Sequence, residues 1–213
     1  MNYRASKKSL AWKLVDRVFW FDSRYAHSRY YRGILEEIPL NVDDRVIDIG
    51  CGSGWLSTEI SRVVTRGMVV GLDISEYVIQ RTRRITEQDR SSEYSNVAFV
   101  VADVEKMPFR ADHFSYAVTF VSLSFWPDPI RGLEEVRRVL RPGGKVYVVD
   151  VYEDGPISAR LGVKVFNALS PWKERLYLAK QYKGFIEEAG FVDVCQKKVK
   201  VTVLTEGRKG SAG

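Results

Sequence analysis

One stretch, residues 46–57, constrains the fold of this chain more than any other. It reads VIDIGCGSGWLS, so apolar β-forming residues lead into glycines at positions 50, 52 and 54, and a helical pattern follows. A parallel strand that is covered on both faces has such an apolar run, and glycines allow a sharp turn and close approach of a ligand to the backbone. The stretch therefore predicts a strand, a ligand-binding loop and a helix whose first N–H groups are free.

The spacing of the glycines in this loop differs from that of a dinucleotide site. A dinucleotide site has Gly-x-Gly-x-x-Gly, whereas this loop has Gly50-x-Gly52-x-Gly54, with Asp48 two residues before the first glycine. Because open α/β sheets bind ligands at the carboxyl ends of their strands, we expect Asp48 to place a carboxylate beside a ligand with a cationic group. We expect Cys51 to pack as a small apolar side chain beside the glycines. A strand-to-helix turn that binds nothing is the alternative for this loop alone.

Composition limits the class of protein. The 213 residues are 45% hydrophobic and 28% charged, which suits a soluble protein with a sizeable core. No apolar run reaches the ~18 residues of a membrane span, and the N-terminus lacks a secretory signal core, so we expect a cytoplasmic protein. The two cysteines make no disulfide framework, and no Cys/His spacing suggests a metal site. The formal charge of +6 permits an acidic substrate, a nucleic acid or a membrane surface and selects none of them.

Residues 1–38 precede the first strand and carry two helical patterns rich in aromatic residues, the second ended by Pro39. A doubly wound sheet does not require helices at this position. They are expected either to form a packing layer against the sheet or to form a lid over the ligand, carrying Tyr25, Tyr30 and Tyr31. The basic residues among these aromatics also leave contact with a membrane surface open.

The rest of the chain predicts strands that alternate with helices. Predicted strands lie at 69–75, 97–101, 116–121 and 145–150, and predicted helices at 55–65, 76–88, 130–140 and 173–189. Residues 151–172 are predicted to be an irregular connection with a functional role. Strands at 191–194 and 199–204 are predicted to close the sheet, although their connection has neither glycine nor proline. The alternation indicates an α/β fold with a doubly wound, mostly parallel, seven-stranded Rossmann-like sheet and N-terminal helices.

Acidic residues end the second and third predicted strands. Asp73, followed by Ile74, stands where an acid of dinucleotide folds accepts hydrogen bonds from a ribose diol; a helix cap is the alternative. Asp103 and Val104 follow the third strand, where a carboxylate can accept from an adenine amino group and a backbone N–H can donate to a ring nitrogen. Phe120 belongs to the fourth strand, whose extension is expected beside the reactive end of the ligand.

Taken together, these motifs resemble the class I S-adenosylmethionine-dependent methyltransferases, in particular the small-molecule group that includes quinone-biosynthesis C-methyltransferases. The match covers roughly residues 40–150 and includes Met107-Pro108-Phe109 and the run from Val136 to Gly144. The resemblance implies S-adenosyl-L-methionine as the cofactor and methyl transfer by direct displacement. It implies that the loop and strand-end residues named above bind this cofactor, with Tyr25 and Tyr30.

The resemblance also implies one methyltransferase domain over residues 1–213. Its expected parts are a helical lid at 1–38, a cofactor-binding core at 40–150, and an acceptor-side insert with closing strands at 151–206. A small-molecule acceptor is the leading hypothesis. An RNA or protein substrate, motivated by the basic cluster at 81–84, and a non-catalytic cofactor-binding module are the alternatives. No DNA substrate is expected, and the sequence sets no oligomeric state.

The chain departs from the family pattern at two places. Ser115 stands where the family usually has an acid, and Ser124 or Phe125 stands where many relatives carry a histidine at the end of the fourth strand. Direct displacement depends on alignment and desolvation of the reacting pair more than on a base. The catalytic residues are therefore unassigned, and neither His27 nor His113 is chosen as a base.

Overall fold

The computed structural model describes residues 28–88, 96–169 and 173–211. The strands of this part are β1 (Arg45–Ile49), β2 (Met68–Asp73), β3 (Val97–Val101), β4 (Phe114–Phe120), β5 (Leu140–Val151), β6 (Val192–Val199) and β7 (Thr202–Arg208). The helices are α1 (Ser28–Leu35), α2 (Trp55–Val63), α3 (Glu76–Gln88), α4 (Pro129–Val139), α5 (Ile157–Leu169) and α6 (Ala179–Glu188), with a 3₁₀ turn at Leu123–Phe125. Among the helices described, none has the length and apolar character needed to cross a membrane.

The strands form one seven-stranded sheet in the order β3-β2-β1-β4-β5-β7-β6. The first five strands in this order are parallel, and β7 runs antiparallel between β5 and β6. The structure thus confirms the mostly parallel, Rossmann-like fold. The strand order reverses between β1 and β4, and open α/β sheets bind ligands outside the carboxyl ends of the strands at such a switch point. The glycine loop after β1 lies at this position.

Both faces of the sheet are covered by helices, which explains the near-continuous apolar runs in the central strands. On one face, Val46 and Tyr147 belong to the same buried cluster as Ile60 of α2. On the other face, Val148 belongs to a cluster that includes Leu133 of α4 and side chains of α6. The sheet is therefore the shared wall of two cores, and its carboxyl edge carries the loops.

Helix α1 packs against the sheet. Ile34 and Leu35 are 1% and 7% exposed and lie in the same cluster as Val46. The described end of the N-terminal segment therefore behaves as the packing layer that was one of its two alternatives. The first helical pattern lies outside the described residues, so a lid formed by residues 1–38 stays a prediction.

The prediction of an irregular connection at 151–172 was wrong for most of its length, because α5 occupies Ile157–Leu169. Pro156 stands just before the helix, where its missing N–H costs nothing. A glycine inside a helix costs only about 1 kcal/mol, and the packing of Val163, which is buried, and of Phe166 on Phe125 outweighs the cost of Gly162.

The following helix begins six residues later than predicted, at Ala179 rather than Lys173. The backbone N–H of Ala179 donates to Asp154 Oδ1 at 2.8 Å, and that of Leu178 donates to Gln181 Oε1 at 2.8 Å. These side chains satisfy the first N–H groups of the helix and fix its start. The residues before it are extended, and Tyr177 forms an isolated bridge with Tyr152.

The closing hairpin is confirmed, with strands longer than predicted. Lys200 occupies the connection with a φ of 49°, so a non-glycine residue adopts the left-handed conformation that a short hairpin turn requires. Predicted bounds of α3 and β3 agree with the structure, and those of β2, β4 and α4 differ by one or two residues.

Candidate functional site

The loop between β1 and α2 has a backbone that suits glycine. Gly50, Gly52 and Gly54 have φ values of 74°, 50° and 73°, a region that side chains with a Cβ rarely adopt. The Gly50 N–H donates to the Leu72 carbonyl at 2.7 Å. A Cβ on Gly50 would lie 1.9 Å from Ser122 Oγ, so the chain after β4 closes directly against this loop.

Gly52 is held on its inner side and open on its outer side. Its N–H donates to Asp73 Oδ2 at 3.2 Å, and Thr82 Oγ1 donates to its carbonyl at 3.0 Å. Among the residues that the structure describes, a Cβ at this position would meet only the Gly50 carbonyl oxygen, at 4.0 Å. The middle of the loop is therefore fixed in place while space for a ligand remains against its backbone.

Asp73 joins the backbone that follows β2 to the backbone of the glycine loop. Oδ1 accepts from the Ser75 N–H at 2.8 Å, and Oδ2 accepts from the Gly52 N–H. Burial raises the pKa of Asp73, and these two backbone hydrogen bonds offset part of the rise. Each carboxylate oxygen keeps a second lone pair, which a ribose diol could use. Ile74 beside it is an exposed apolar side chain.

Asp48 lies beneath the loop and not on its surface. The side chain is 2% exposed, and Oδ2 accepts from Ser57 Oγ at 2.6 Å. Burial raises the pKa of Asp48 to about 7; the Ser57 hydrogen bond lowers it and the charge of Asp73 adds to it. A nearby cation would favour the ionised form. Cys51 is buried against Ile79, in agreement with its expected packing role.

The third and fourth strands contribute residues farther along the edge. Asp103 is exposed and accepts from the Glu105 N–H at 2.9 Å, and Val104 is buried in the core. The Ala102 N–H donates to the Asp73 carbonyl at 3.1 Å, which joins the ends of β2 and β3. The structure thus places these residues beside the Asp73 end of the loop.

An aromatic group lies at the end of β4. The rings of Tyr31 and Phe120 are 5.5 Å apart, and those of Tyr31 and Trp55 are 6.3 Å apart. Tyr31 of α1 therefore connects the end of β4 with the first residue of α2. Tyr25 and the side chain of Tyr30 lie outside the described residues, so their predicted roles stay predictions.

A second group of polar residues lies at the carboxyl ends of β4 and β5, and sequence reasoning missed most of it. Asp150 is 0% exposed, and its carboxylate accepts from the Ser124 N–H at 3.1 Å and the Val151 N–H at 2.9 Å. Burial raises its pKa to about 7. Glu174 is 8% exposed, and burial together with the charge of Asp150 raises its pKa to about 8.

Three buried side-chain oxygens have no hydrogen-bond partner in the described part of the chain, namely Thr119 Oγ1, Ser124 Oγ and Glu174 Oε1. The Ser124 hydroxyl lies near enough to Asp150 to lower its pKa slightly, without a well-directed hydrogen bond. Thr119 stands opposite Val148 in the parallel register, so strand alternation puts it on the same face as Asp150.

We call Thr119, Ser124, Asp150 and Glu174 the β4–β5 polar cluster. A buried polar atom without a partner costs about 1–3 kcal/mol, so three of them near one carboxylate are a costly arrangement for structure alone. The signal for Asp150 was available, because it ends a strand as Asp73 does. Glu174 follows no such pattern, and its burial depends on tertiary contacts.

Two residues considered in the sequence lie at the opposite edge of the sheet. His113 precedes β4 at its amino end, and Nδ1 accepts from Arg110 Nε at 3.3 Å. Ser115, which replaces the family's usual acid, accepts from the Arg45 N–H at 3.2 Å. Both have local structural partners far from the carboxyl edge, and His113 therefore has no part in the site.

Known proteins resemble this chain in sequence. A family model described as "Methyltransferase domain" matches residues 40–190. The chain is 31% identical over 159 residues to 2-methyl-6-phytyl-1,4-hydroquinone methyltransferase 2, chloroplastic, of Oryza sativa subsp. japonica; the match covers 73% of this chain and 41% of the rice protein, so the chain spans less than half of that relative's length. It is 24% identical over 202 residues to demethylmenaquinone methyltransferase of Staphylococcus aureus, covering 85% and 82% of the two chains.

A solved structure has the same fold. The Haloferax volcanii methyltransferase in complex with the Trm112 methyltransferase activator superposes with a TM-score of 0.76 at 21% identity, covering 94% of this chain and 96% of that one. At this identity the likeness concerns the fold alone.

Proposed function

The chain belongs to the class I S-adenosylmethionine-dependent methyltransferases, with S-adenosyl-L-methionine as its cofactor, and we propose that its methyl acceptor is a small molecule of the quinone type. The observation that carries this proposal is the similarity to relatives named for a hydroquinone and for demethylmenaquinone, over 73% and 85% of this chain. These matches extend beyond the cofactor-binding core, and the family match continues to residue 190, through α5 and α6. The acceptor side of the chain is thus included in the likeness.

The open backbone of the glycine loop supports cofactor binding at the predicted residues. In the proposal, the Asp73 carboxylate accepts from the ribose diol, and the outer side of Gly52 lies against the bound cofactor. Asp48, buried and with a pKa raised to about 7, becomes fully ionised when the positively charged part of the cofactor lies nearby. The remaining proposed contacts are Gly50, Cys51, Gly54, Ile74, Asp103, Val104, Phe120, Tyr25 and Tyr30.

The chain's own contribution to the reaction is alignment and exclusion of water. When bound, S-adenosylmethionine supplies a methyl group on a positively charged sulfur, which is a good leaving group. Phe120, Tyr31 and Trp55 provide apolar surface beside the loop. Water exclusion strengthens the electrostatic interactions between reacting groups, and a fixed acceptor position removes much of the entropy cost of the encounter.

The basic cluster at 81–84, which suggested an RNA substrate, has one member with a structural role. Arg83, one of the three arginines of the basic cluster, donates from Nε to the Phe99 carbonyl at 3.1 Å. That arginine of α3 therefore has a structural partner in β3. A substrate of RNA or protein is retained as an outcome of the test below.

The test is a transfer assay with S-adenosylmethionine labelled in its methyl group and an extract of the source cells. After reaction, the extract is separated into solvent-soluble small molecules, RNA and protein. We expect label in the small-molecule fraction, and none when Gly52→Val protein is used. Label confined to RNA or protein would contradict the proposed acceptor class.

A further inference from the structure

The β4–β5 polar cluster lies close to the cofactor loop. Gly50 faces Ser122, and the backbone N–H of Ser124, two residues later, donates to Asp150 Oδ2. β4 is the neighbour of both β1 and β5. Two strand spacings of about 4.8 Å put the ends of β1 and β5 roughly 10 Å apart. The cluster therefore lies one strand away from the glycine loop along the carboxyl edge of the sheet.

We propose that Glu174 and Ser124 bind a hydroxyl group of the methyl acceptor, and that Glu174 takes the proton of this hydroxyl during methyl transfer. This inference rests on the proposed function and deepens it, because it specifies a neutral, hydroxyl-bearing aromatic acceptor. Asp150 is a positioning residue, since its oxygens hold the Ser124 and Val151 backbone.

The unpaired atoms of the cluster match a hydroxyl group. A hydroxyl can donate one hydrogen bond and accept two, so it can donate to Glu174 Oε1 and accept from Ser124 Oγ. These two atoms are buried and unpartnered within the described residues. The Arg175 N–H joins the segment of Glu174 to the Ser124 carbonyl, and in the proposal one hydroxyl group bound between these two side chains pairs with both atoms. An acceptor with a carboxylate or phosphate here would instead face two buried carboxyl groups, which disfavours a further negative charge.

Hydrogen bonds to neighbouring residues hold the backbone of Glu174 in place. Its backbone N–H donates to Asn167 Oδ1 at 2.8 Å, and Asn167 Nδ2 donates back to its carbonyl at 2.9 Å. The Arg175 N–H donates to the Ser124 carbonyl at 3.1 Å, which fixes this segment to the 3₁₀ turn. Arg175 directs its guanidinium to the Pro127 carbonyl at 3.1 Å.

Burial and one neighbouring carboxyl group act against the ionisation of Glu174. Asp150 of β5 raises the pKa of Glu174. Tyr182 of α6 packs nearby, and its hydroxyl donates to the Val151 carbonyl at 2.8 Å; burial and the charges of Asp150 and Glu174 raise its pKa, so it stays neutral. A general base works best when its pKa is near the working pH, and the pKa of Glu174 is raised to about 8.

The O–H bond of the acceptor breaks and its proton goes to the Glu174 carboxylate, while the carbon–sulfur bond of the cofactor breaks and sulfur keeps the electron pair. The methyl carbon forms its new bond to the acceptor oxygen or to a ring carbon that this oxygen activates. In the second case the ring proton leaves to solvent and Glu174 returns its proton to the oxygen, which restores the hydroxyl.

The test compares Glu174→Gln with the exposed control Glu188→Gln in the transfer assay on the small-molecule fraction. We expect Glu174→Gln to lower the transfer rate by about 100-fold or more, the range of general-base catalysis. The affinity for S-adenosylmethionine, measured by calorimetry, should stay within about 2-fold, and the midpoint of thermal unfolding should hold or rise, because a buried carboxyl without a partner costs stability. Between about pH 6 and pH 9 the wild-type rate should rise, since the base must be ionised, and the variant should lose this dependence.

Ser124→Ala gives an independent measurement. We expect an unchanged or raised unfolding midpoint with a transfer rate lower by about 10-fold, the effect of one neutral hydrogen bond. A Glu174→Gln rate within about 3-fold of wild type, or a loss of rate matched by lost cofactor affinity and a lower unfolding midpoint, would overturn the inference and leave the proposed function intact. If Glu174→Gln does not fold, an unchanged rate in Ser124→Ala would overturn the inference instead. Wild-type protein that labels no small molecule would overturn the proposed function and this inference with it.

Discussion

Replacing Asp73 by asparagine should weaken cofactor binding while the protein stays folded. Asparagine keeps one oxygen that can accept from the Ser75 N–H, but the second position becomes an NH₂ group that cannot accept from Gly52 or from a ribose hydroxyl. Hydrogen bonds to a charged group contribute about 1.5–3 kcal/mol. At about 1.4 kcal/mol per tenfold change, the dissociation constant for S-adenosylmethionine should rise roughly 10- to 150-fold. Asp73→Ala should fall in the same range or above it.

The assay is calorimetric titration of the folded variant, with Asp193→Asn as an exposed control on β6. A second ligand separates a direct contact from loop support, namely a cofactor analogue that lacks the ribose 2′-hydroxyl. If Asp73 binds the diol, the wild type should bind this analogue more weakly than S-adenosylmethionine. Asp73→Asn already lacks that contact, so it should bind the analogue only slightly more weakly than S-adenosylmethionine. Unchanged cofactor affinity in Asp73→Asn would refute the assignment. If removal of the 2′-hydroxyl lowers the affinity of the wild type and of Asp73→Asn by the same factor, Asp73 acts through the loop alone.

Three further predictions concern the loop, its buried acid and the N-terminal segment. Gly52→Val should abolish cofactor binding and Gly52→Ala should not. Both variants share the strain of a φ of 50°, but only the valine side chain is large enough to fill the open space. Equal cofactor affinities of the two variants in calorimetry would contradict this. The pKa of Asp48 is raised to about 7, so its contribution to stability is present below its unfolded pKa near 4 and is lost as pH rises through 7. The unfolding midpoint of the wild type should therefore fall between about pH 4.5 and pH 7.5, and that of Asp48→Asn should fall less. Parallel curves of midpoint against pH for the two proteins would refute this. Cofactor should protect residues 1–38 from limited proteolysis more than it protects β6 and β7, and equal cleavage with and without cofactor would reduce that segment to a packing layer.

The cofactor side of this chain could be derived from its sequence because the signals there are local. Apolar runs predicted β1 to β3, of which β1 and β2 are buried on both faces, and the glycine spacing predicted a loop whose middle residue is open. Asp73 was placed correctly at the end of β2, where it contacts the loop. In each case the residues that form the pattern and the residues that form the structural feature are no more than one turn or one strand end apart in the sequence.

The proposed acceptor side depends on contacts between distant residues, and there the sequence was insufficient. Gly162 and Pro156 indicated irregular structure, but the ring of Phe166 packs 5.9 Å from that of Phe125 and helps to keep α5 helical. Glu174 lies outside the helices and strands, in a segment with no periodic pattern. This segment is held by hydrogen bonds of Glu174 to Asn167 and of Arg175 to the 3₁₀ turn, and no spacing rule predicts these.

The reversal of strand order between β1 and β4 has a consequence for how such a chain can change over generations. It assigns the two halves of the carboxyl edge to consecutive stretches of sequence, with the proposed cofactor contacts of the glycine loop, β2 and β3 at 48–104 and the β4–β5 polar cluster at 119–174. Of the other proposed cofactor contacts, Tyr25 and Tyr30 precede the first stretch and Phe120 lies in the second. Exposed residues 110–112 connect the two stretches. A recombination joint at 110–112 would unite the cofactor site of one parent with the acceptor preference of another, provided that the facing pair Gly50 and Ser122 is kept compatible. New acceptors could then be acquired while the ancestral affinity for the methyl donor is inherited unchanged.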